Sequence, residues 1–128
     1  MTSGLVQPIL SMTLPHTKKP NSLVYDFGKV SQAVEVLITN QHDARERLRV
    51  ASEYLFAVDP RGLPASCRKD MQWIHDMLLR YPAVPSYPSR MEATYRRTRN
   101  VTAAKIAARV WNLYHLMNSE LETGGRDV

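Results

Sequence analysis

The sequence predicts an all-α fold, an irregular bundle of four to five helices preceded by an extended N-terminal arm. Two observations carry this prediction. Apolar residues recur at alternating spacings of three and four along most of the chain, which is the period of a helix with one buried face. A Pro-Gly turn and a proline-rich stretch separate these periodic segments into helical units.

The two ends of the chain lack this periodicity. Residues 1–24 contain three prolines, no acidic residue and no helical period, which favours a flexible or extended arm. A short strand within the arm is an alternative, although a lone strand is marginal in water. Two consecutive glycines predict that order ends near residue 124. We therefore expect a single helical domain over 25–123 and a disordered tail over 124–128.

An apolar stripe that runs from Phe27 to Val58 predicts the first two helices, at about 27–39 and about 41–58. Asp26 suits the start of the first helix, since its carboxylate can accept hydrogen bonds from the first-turn N–H groups, and Asn40 followed by Asp43 resembles a second start signal. The stripe keeps its phase across the residues between the two segments. A single long or kinked helix is therefore the alternative.

A third helix follows the turn formed by residues 59–62, where proline presets one backbone angle and glycine tolerates another. Pro64 suits the first turn of a helix, where its missing N–H has no cost. Pro82 stops the helix, and the prolines of residues 82–89 predict a stiff, extended connector. The apolar face of this helix is formed by Cys67, Met71, Ile74, Leu78 and Tyr81.

The last helical region covers about 90–121 and begins at a clear capping signal. Ser89 and Glu92 form the Ser-x-x-Glu pattern, in which a hydroxyl and a carboxylate each accept a hydrogen bond from a backbone N–H. The apolar stripe at the end of this region, extrapolated backwards, lands on Arg99 and Arg96. The basic half must therefore leave the core or form a separate short helix, with a junction at 100–102.

Positive charge is concentrated in residues 90–109, where six basic side chains stand against the single acid Glu92. This local balance of +5 equals the formal charge of the whole chain. Guanidinium forks suit phosphate oxygens, while Tyr95 can stack on a base and Asn100 can read a base edge. We therefore predict that an anionic partner, DNA or RNA, contacts the basic residues of this segment, Arg90, Arg96, Arg97, Arg99, Lys105 and Arg109.

Other functional classes are weakly supported by the sequence. No catalytic motif, metal-ligand spacing or phosphate-cradling glycine loop is present, so we predict a non-enzymatic accessory protein without metal or cofactor. The single cysteine, Cys67, fits a reducing compartment and is either a small core residue or a thiol activated by a helix N-terminus. The longest apolar run, Val34 to Ile38, is too short to cross a membrane, so we expect a soluble, cytoplasmic protein.

Two alternative functions remain open. The basic segment is also compatible with a solvated helix face, in a protein that acts as a protein–protein adaptor or a homodimer. In addition, the segment Arg109-Val-Trp-Asn-Leu-Tyr-His115 is similar to the Arg-x(4-6)-His pattern of the HEPN ribonucleases, which are small helical bundles. That resemblance covers seven residues. It implies that Arg109 would stabilise phosphate charge and His115 would transfer a proton in metal-independent RNA cleavage.

Overall fold

A computed structural model describes the backbone of residues 22–127 and the side chains of residues 23–123. Within this part of the chain the fold is all-α, as predicted, and contains no strand. The predicted N-terminal arm lies almost entirely outside the described residues. The five helices are α1 (Ser22–Thr39), α2 (Ala44–Leu55), α3 (Ala65–Leu78), α4 (Arg90–Arg97) and α5 (Asn100–Asp127).

The first stripe forms two helices, so the alternative of one long helix is wrong. Asp43 caps α2, because its carboxylate accepts a hydrogen bond of 3.0 Å from the Glu46 N–H. Asn40 closes a local turn by accepting a hydrogen bond from the His42 N–H at 2.8 Å. The predicted bounds were wrong at both ends: α1 begins five residues earlier than expected, and α2 ends at Leu55. After it, the N–H groups of Ala57 and Val58 bond to carbonyls only three residues back, which tightens the chain out of the helix.

The helix α3 begins after a short 3-10 turn at Pro60–Gly62 and ends at Leu78. Pro64 lies at its N-cap position rather than inside its first turn. The prediction of an extended connector over residues 82–89 is wrong in one respect. The N–H groups of Val84 and Tyr87 each donate to the carbonyl of the other, at 3.0 and 2.9 Å, and so close a tight turn inside the proline-rich segment.

The basic first half of the last helical region forms a helix of its own, α4, as one of the two alternatives predicted. Ser89 caps it by accepting a hydrogen bond of 3.0 Å from the Glu92 N–H. The Glu92 carboxylate bonds to Arg96 instead of returning to the cap, so only half of the capping box forms. The junction lies at Thr98, two residues before the expected range, because Thr98 adopts an extended conformation and its N–H bonds to Tyr95.

The core lies between α5 and the other long helices. Hydrogen bonds and ring contacts show that α1 pairs antiparallel with α2, and α3 pairs antiparallel with α5. Burial of each large apolar side chain contributes roughly 1.5–3 kcal/mol. None of the helices in the described part has the length and apolarity that a membrane span requires. The largest fully buried apolar side chains are Leu55, Leu63, Met71, Ile74, Ile106, Leu113 and Met117.

Candidate nucleic-acid interface

The helix α4 is fixed between α2 and the residues that follow α3. On one side, the buried Thr94 hydroxyl accepts a hydrogen bond of 3.0 Å from the Tyr81 N–H. On the other side, the Tyr95 hydroxyl donates to the Glu46 carboxylate of α2 at 2.9 Å. Because α4 has only eight residues, these tertiary bonds rather than helix propensity hold it in place. The arginines of α4 are therefore displayed from a defined position.

Three arginines surround the ring of Tyr95. The guanidinium carbons of Arg45 and Arg49 on α2 lie 5.0 and 5.5 Å from the ring centre, and that of Arg96 lies at 5.9 Å. Arg96 also stands 5.1 Å from the ring of Tyr87 in the connector. Such cation–π contacts orient a guanidinium while its N–H edge stays exposed. The two arginines of α2 were not among the predicted site residues.

Carboxylates neutralise only part of this first cluster. Glu46 pairs with Arg49 at 2.7 Å, and Glu92 pairs with Arg96 at 2.9 Å. Hydrogen bonds from Arg49 and then from Tyr95 lower the pKa of Glu46 to about 2, so this carboxylate is ionised at neutral pH. Among the described residues, Arg45 has no carboxylate at ion-pair distance. Its charge is therefore available to a ligand.

A second cluster surrounds the ring of Tyr81, directly after α3. The guanidinium carbon of Arg97 lies 4.4 Å from the ring centre, and that of Arg80 lies at 5.1 Å. Within the described part of the chain, neither arginine pairs with a carboxylate. Arg80 also has a buried Nε atom without a hydrogen-bond partner there. Two like charges therefore share one ring without an anion to compensate them.

The two clusters lie on either side of α4 and adjoin through it, because Arg96 and Arg97 are consecutive residues and each belongs to a different cluster. Arg99, two residues after Arg97, is exposed in the junction between α4 and α5. Two of the arginines are paired with glutamates, and four have no carboxylate partner among the described residues. We call this set the arginine surface: Arg45, Arg49, Arg80, Arg96, Arg97 and Arg99.

The structure brings only three of the six predicted site residues into the arginine surface. Arg90 is exposed on the first turn of α4, and Lys105 is exposed on α5. Arg109 lies against α3, where its guanidinium pairs with Asp70 at 3.3 Å and its central carbon stands 4.3 Å from the ring centre of Trp73. Arg109 thus links α5 to α3, a structural role that the number of charges in the segment does not indicate.

Replacement of Arg109 by glutamine is expected to destabilise the fold by about 1–2 kcal/mol, because it removes a half-buried ion pair and a cation–π contact. The matched control is Lys105→Gln, one helical turn away on α5 and exposed, which should change stability by less than about 0.5 kcal/mol. Urea unfolding monitored by circular dichroism measures both. Equal stability of the two variants would show that the contacts of Arg109 with α3 do not stabilise the fold.

Asn100 also has a structural role. Its side-chain oxygen accepts a hydrogen bond of 2.9 Å from the Arg45 N–H, in the first turn of α2. Its side-chain nitrogen lies 3.5 Å from the Asp43 carboxylate. The start of α5 therefore helps to cap the start of α2. We predicted either a cap for its own helix or contact with a base, and the structure shows a cap for a different helix.

The pair that resembles the HEPN motif is held apart. Arg109 points toward α3, as described above, whereas His115 stands edge-on to Trp111, with ring centres 4.3 Å apart. The six residue steps from one to the other turn a helix by about 600°, so the two side chains leave α5 in different directions. In this arrangement they do not converge on a single phosphate.

The thiol of Cys67 is a core group. The residue is fully buried, and burial raises the pKa of its thiol above the ordinary value. The prediction of a small core residue is thus confirmed, and that of an activated thiol is wrong. Across residues 23–123, no cluster of three or more His, Cys, Asp or Glu side chains is arranged to hold a metal ion.

A pH titration tests the bonding of Glu46. Because its pKa is lower in the folded chain than in the unfolded chain, its contribution is complete above about pH 4.5 and is lost as the pH falls toward 2. We expect the Glu46→Gln variant to be less stable than the parent by about 1 kcal/mol at neutral pH, and the difference to vanish toward pH 2. Glu53→Gln, on an exposed site of α2, is the control. A difference that does not change with pH would contradict this assignment.

No family model matches this chain, and neither a curated protein nor a solved structure matches it. A functional proposal therefore rests on the geometry of the site.

Proposed function

We propose that this protein is a non-enzymatic accessory factor that binds nucleic acid through the arginine surface. The observation that carries the proposal is the second cluster, in which Arg80 and Arg97 share the ring of Tyr81 without a carboxylate among the described residues. A fold that needed these charges only for stability would pair them with acids, as it does at Glu46 and Glu92. The unpaired charges favour an external anion.

Phosphate is the anion that this arrangement suits best. Each guanidinium carries several N–H donors in a plane, which match two phosphate oxygens at once. Stacking on tyrosine limits the rotation of the side chain, so less conformational entropy is lost when the phosphate binds. One outer nitrogen of Arg80 donates to the Met77 sulfur at 3.6 Å, which is a weak acceptor, so the N–H groups of the other outer nitrogen are left for a phosphate.

Several phosphates in a row are favoured over a single one. The cations of the arginine surface come from α2, from the residue pair after α3, and from α4 with its junction to α5. A single phosphate cannot contact clusters on both sides of α4, whereas a nucleic-acid backbone presents regularly repeated charges. We also propose a cytoplasmic location, which is compatible with a buried, reduced Cys67.

A salt series on the full chain tests the proposal. Fluorescence anisotropy with labelled DNA and RNA should show binding that weakens with salt, with a slope of about −2.8 on single strands if all four unpaired arginines contact phosphates. Duplexes of the same sequence run in parallel, and polyglutamate serves as an acidic-protein probe. Absence of binding at low salt, a slope near zero, or equally tight binding of polyglutamate would overturn the proposal.

The protein–protein adaptor or homodimer stays a prediction. One feature is relevant to it: Trp111 is 48% exposed on the outer side of α5, and Val101 is 56% exposed on the same helix. Nothing in the described residues identifies what would cover them. Sizing of the purified chain at several concentrations measures self-association directly.

A further inference from the structure

A second basic site lies on the outer face of α3, away from the arginine surface. An open groove of about 520 Å³ follows the first three turns of this helix and the turn before it. The residues that matter for its chemistry are Arg61, Arg68, Lys69, Gln72, Trp73 and Asp76.

The groove has an excess of positive charge. Lys69 is exposed and has no carboxylate partner among the described residues. Arg68 donates one N–H to the Leu63 carbonyl at 2.9 Å, which leaves the rest of its guanidinium exposed. Asp76, the acid in the groove lining, accepts a hydrogen bond of 2.9 Å from Gln72. An anion in the groove would therefore meet two adjacent cations, Arg68 and Lys69.

The indole of Trp73 forms an aromatic wall of the groove and is held in a fixed position. The Arg109 guanidinium covers one face of the ring, with its central carbon 4.3 Å from the ring centre. Asp70 fixes that guanidinium, and Asn112 donates to the second Asp70 oxygen at 2.7 Å. A preorganised ring beside two cations is the combination with which proteins bind an unpaired base and its phosphate.

The groove and the arginine surface lie along the same helix. Trp73 precedes Leu78, the last residue of α3, by five residues, and Arg80 and Tyr81 follow Leu78 by two and three residues. At 1.5 Å per residue, the indole is about 8 Å along the helix axis from its end. A strand of several nucleotides can therefore reach both sites, since single-strand footprints cover about 4–16 nucleotides per domain.

We propose that the ligand of this protein is single-stranded nucleic acid, and that the groove on α3 binds one nucleotide of the strand held by the arginine surface. The base stacks on Trp73, and the flanking phosphates contact Arg68 and Lys69. This inference rests on the proposed function and adds to it the strandedness of the ligand. A duplex keeps its bases stacked on one another, so it cannot offer a base to the indole.

Tryptophan fluorescence tests this directly, because the chain has only two tryptophans. In the full-length Trp111→Phe variant, Trp73 is the single reporter. Titration with a single-stranded oligonucleotide of about 12 residues, within known footprints, should quench its emission in parallel with the anisotropy change. A duplex of the same length should bind without quenching. The matched control is Trp73→Phe, which retains Trp111 and should show no quenching; circular dichroism verifies that both variants fold.

A charge variant gives an independent measurement. Lys69→Gln should lower the salt slope on single strands by about 0.7 and the affinity by about 5-fold at 0.1 M salt, since one phosphate contact is lost. Lys29→Gln, on α1, removes the same charge outside both sites and should leave affinity unchanged.

The outcomes separate the two proposals. If single strands bind without quenching of Trp73, or if duplex quenches it equally, the groove inference is overturned while nucleic-acid binding stands. An unchanged slope for Lys69→Gln also overturns the groove inference. If neither single strands nor duplexes bind, the proposed function itself fails.

Discussion

The triple variant Arg80→Gln, Arg97→Gln, Arg99→Gln should bind single-stranded nucleic acid about 100-fold more weakly than the parent at 0.1 M salt. All three side chains lack a carboxylate partner among the described residues, so their charge is available to phosphates. Loss of three contacts lowers the salt slope by about 2.1, and over the decade between 1 M and 0.1 M salt this amounts to two orders of magnitude. Affinities of parent and variant should converge as the salt concentration rises.

Single substitutions supply the matched control for net charge. Arg97→Gln and Lys29→Gln each remove one positive charge, but Arg97 lies in the arginine surface and Lys29 contacts the rings of Tyr25 and Tyr54 near α1. We expect an affinity loss of about 5-fold at 0.1 M salt for Arg97→Gln and none for Lys29→Gln. Anisotropy titrations with one labelled strand compare them. Equal losses would indicate a diffuse effect of net charge rather than a defined surface.

Arg96 provides a finer contrast within α4. It is consecutive with Arg97 and similarly exposed, yet it pairs with Glu92 at 2.9 Å. An arginine that must give up a carboxylate gains less from a phosphate, because one charge-assisted bond replaces another. Arg96→Gln should therefore weaken binding less than Arg97→Gln. The reverse order would mean that the glutamate pairing does not persist in the complex.

Local sequence signals predicted most of the fold, because helix caps and apolar periods act over a few residues. The start signal at Asn40 and Asp43, the Ser89 cap, the buried face of α3 and the arginine-interrupted stripe before α5 all depend on neighbours within one or two turns. Exact bounds were less predictable. Whether α2 ends at Leu55 or at Val58 depends on carbonyl pairing that apolar spacing does not encode.

The site was predicted less well, because it depends on contacts between residues distant in the sequence. Charge clustering identified Arg96, Arg97 and Arg99, but the pairing of Arg109 with Asp70 joins residues 39 positions apart. The meeting of Arg45 with Tyr95 likewise depends on how α2 and α4 pack. One signal was available: α2 carries arginines at every second position from 45 to 49. The net charge of this part of the chain does not indicate these arginines, because neighbouring acidic residues offset their positive charge.

Replacement of Leu113 by alanine should destabilise the fold by about 2–5 kcal/mol without a matching loss of affinity below the unfolding temperature. Leu113 is fully buried on α5, in the core that supports α1 and α3, so truncation leaves a cavity that the surrounding helices fill only in part. None of its atoms belongs to the arginine surface. Against a total of about 5–15 kcal/mol for a domain of this size, the loss is large but leaves the chain folded at low temperature.

The exposed Val101 on the same helix gives the control, since Val101→Ala should change stability by less than about 0.5 kcal/mol. Urea unfolding measures stability, and anisotropy at low temperature measures affinity for the same single strand. If binding depends on a surface displayed by α2, α4 and the end of α3, Leu113→Ala lowers the unfolding midpoint and preserves the salt slope. If the salt slope falls although the variant is still folded by circular dichroism, loss of core packing has displaced the arginines. The arginine variants should show the converse, a reduced slope with an unfolding midpoint close to that of the parent chain.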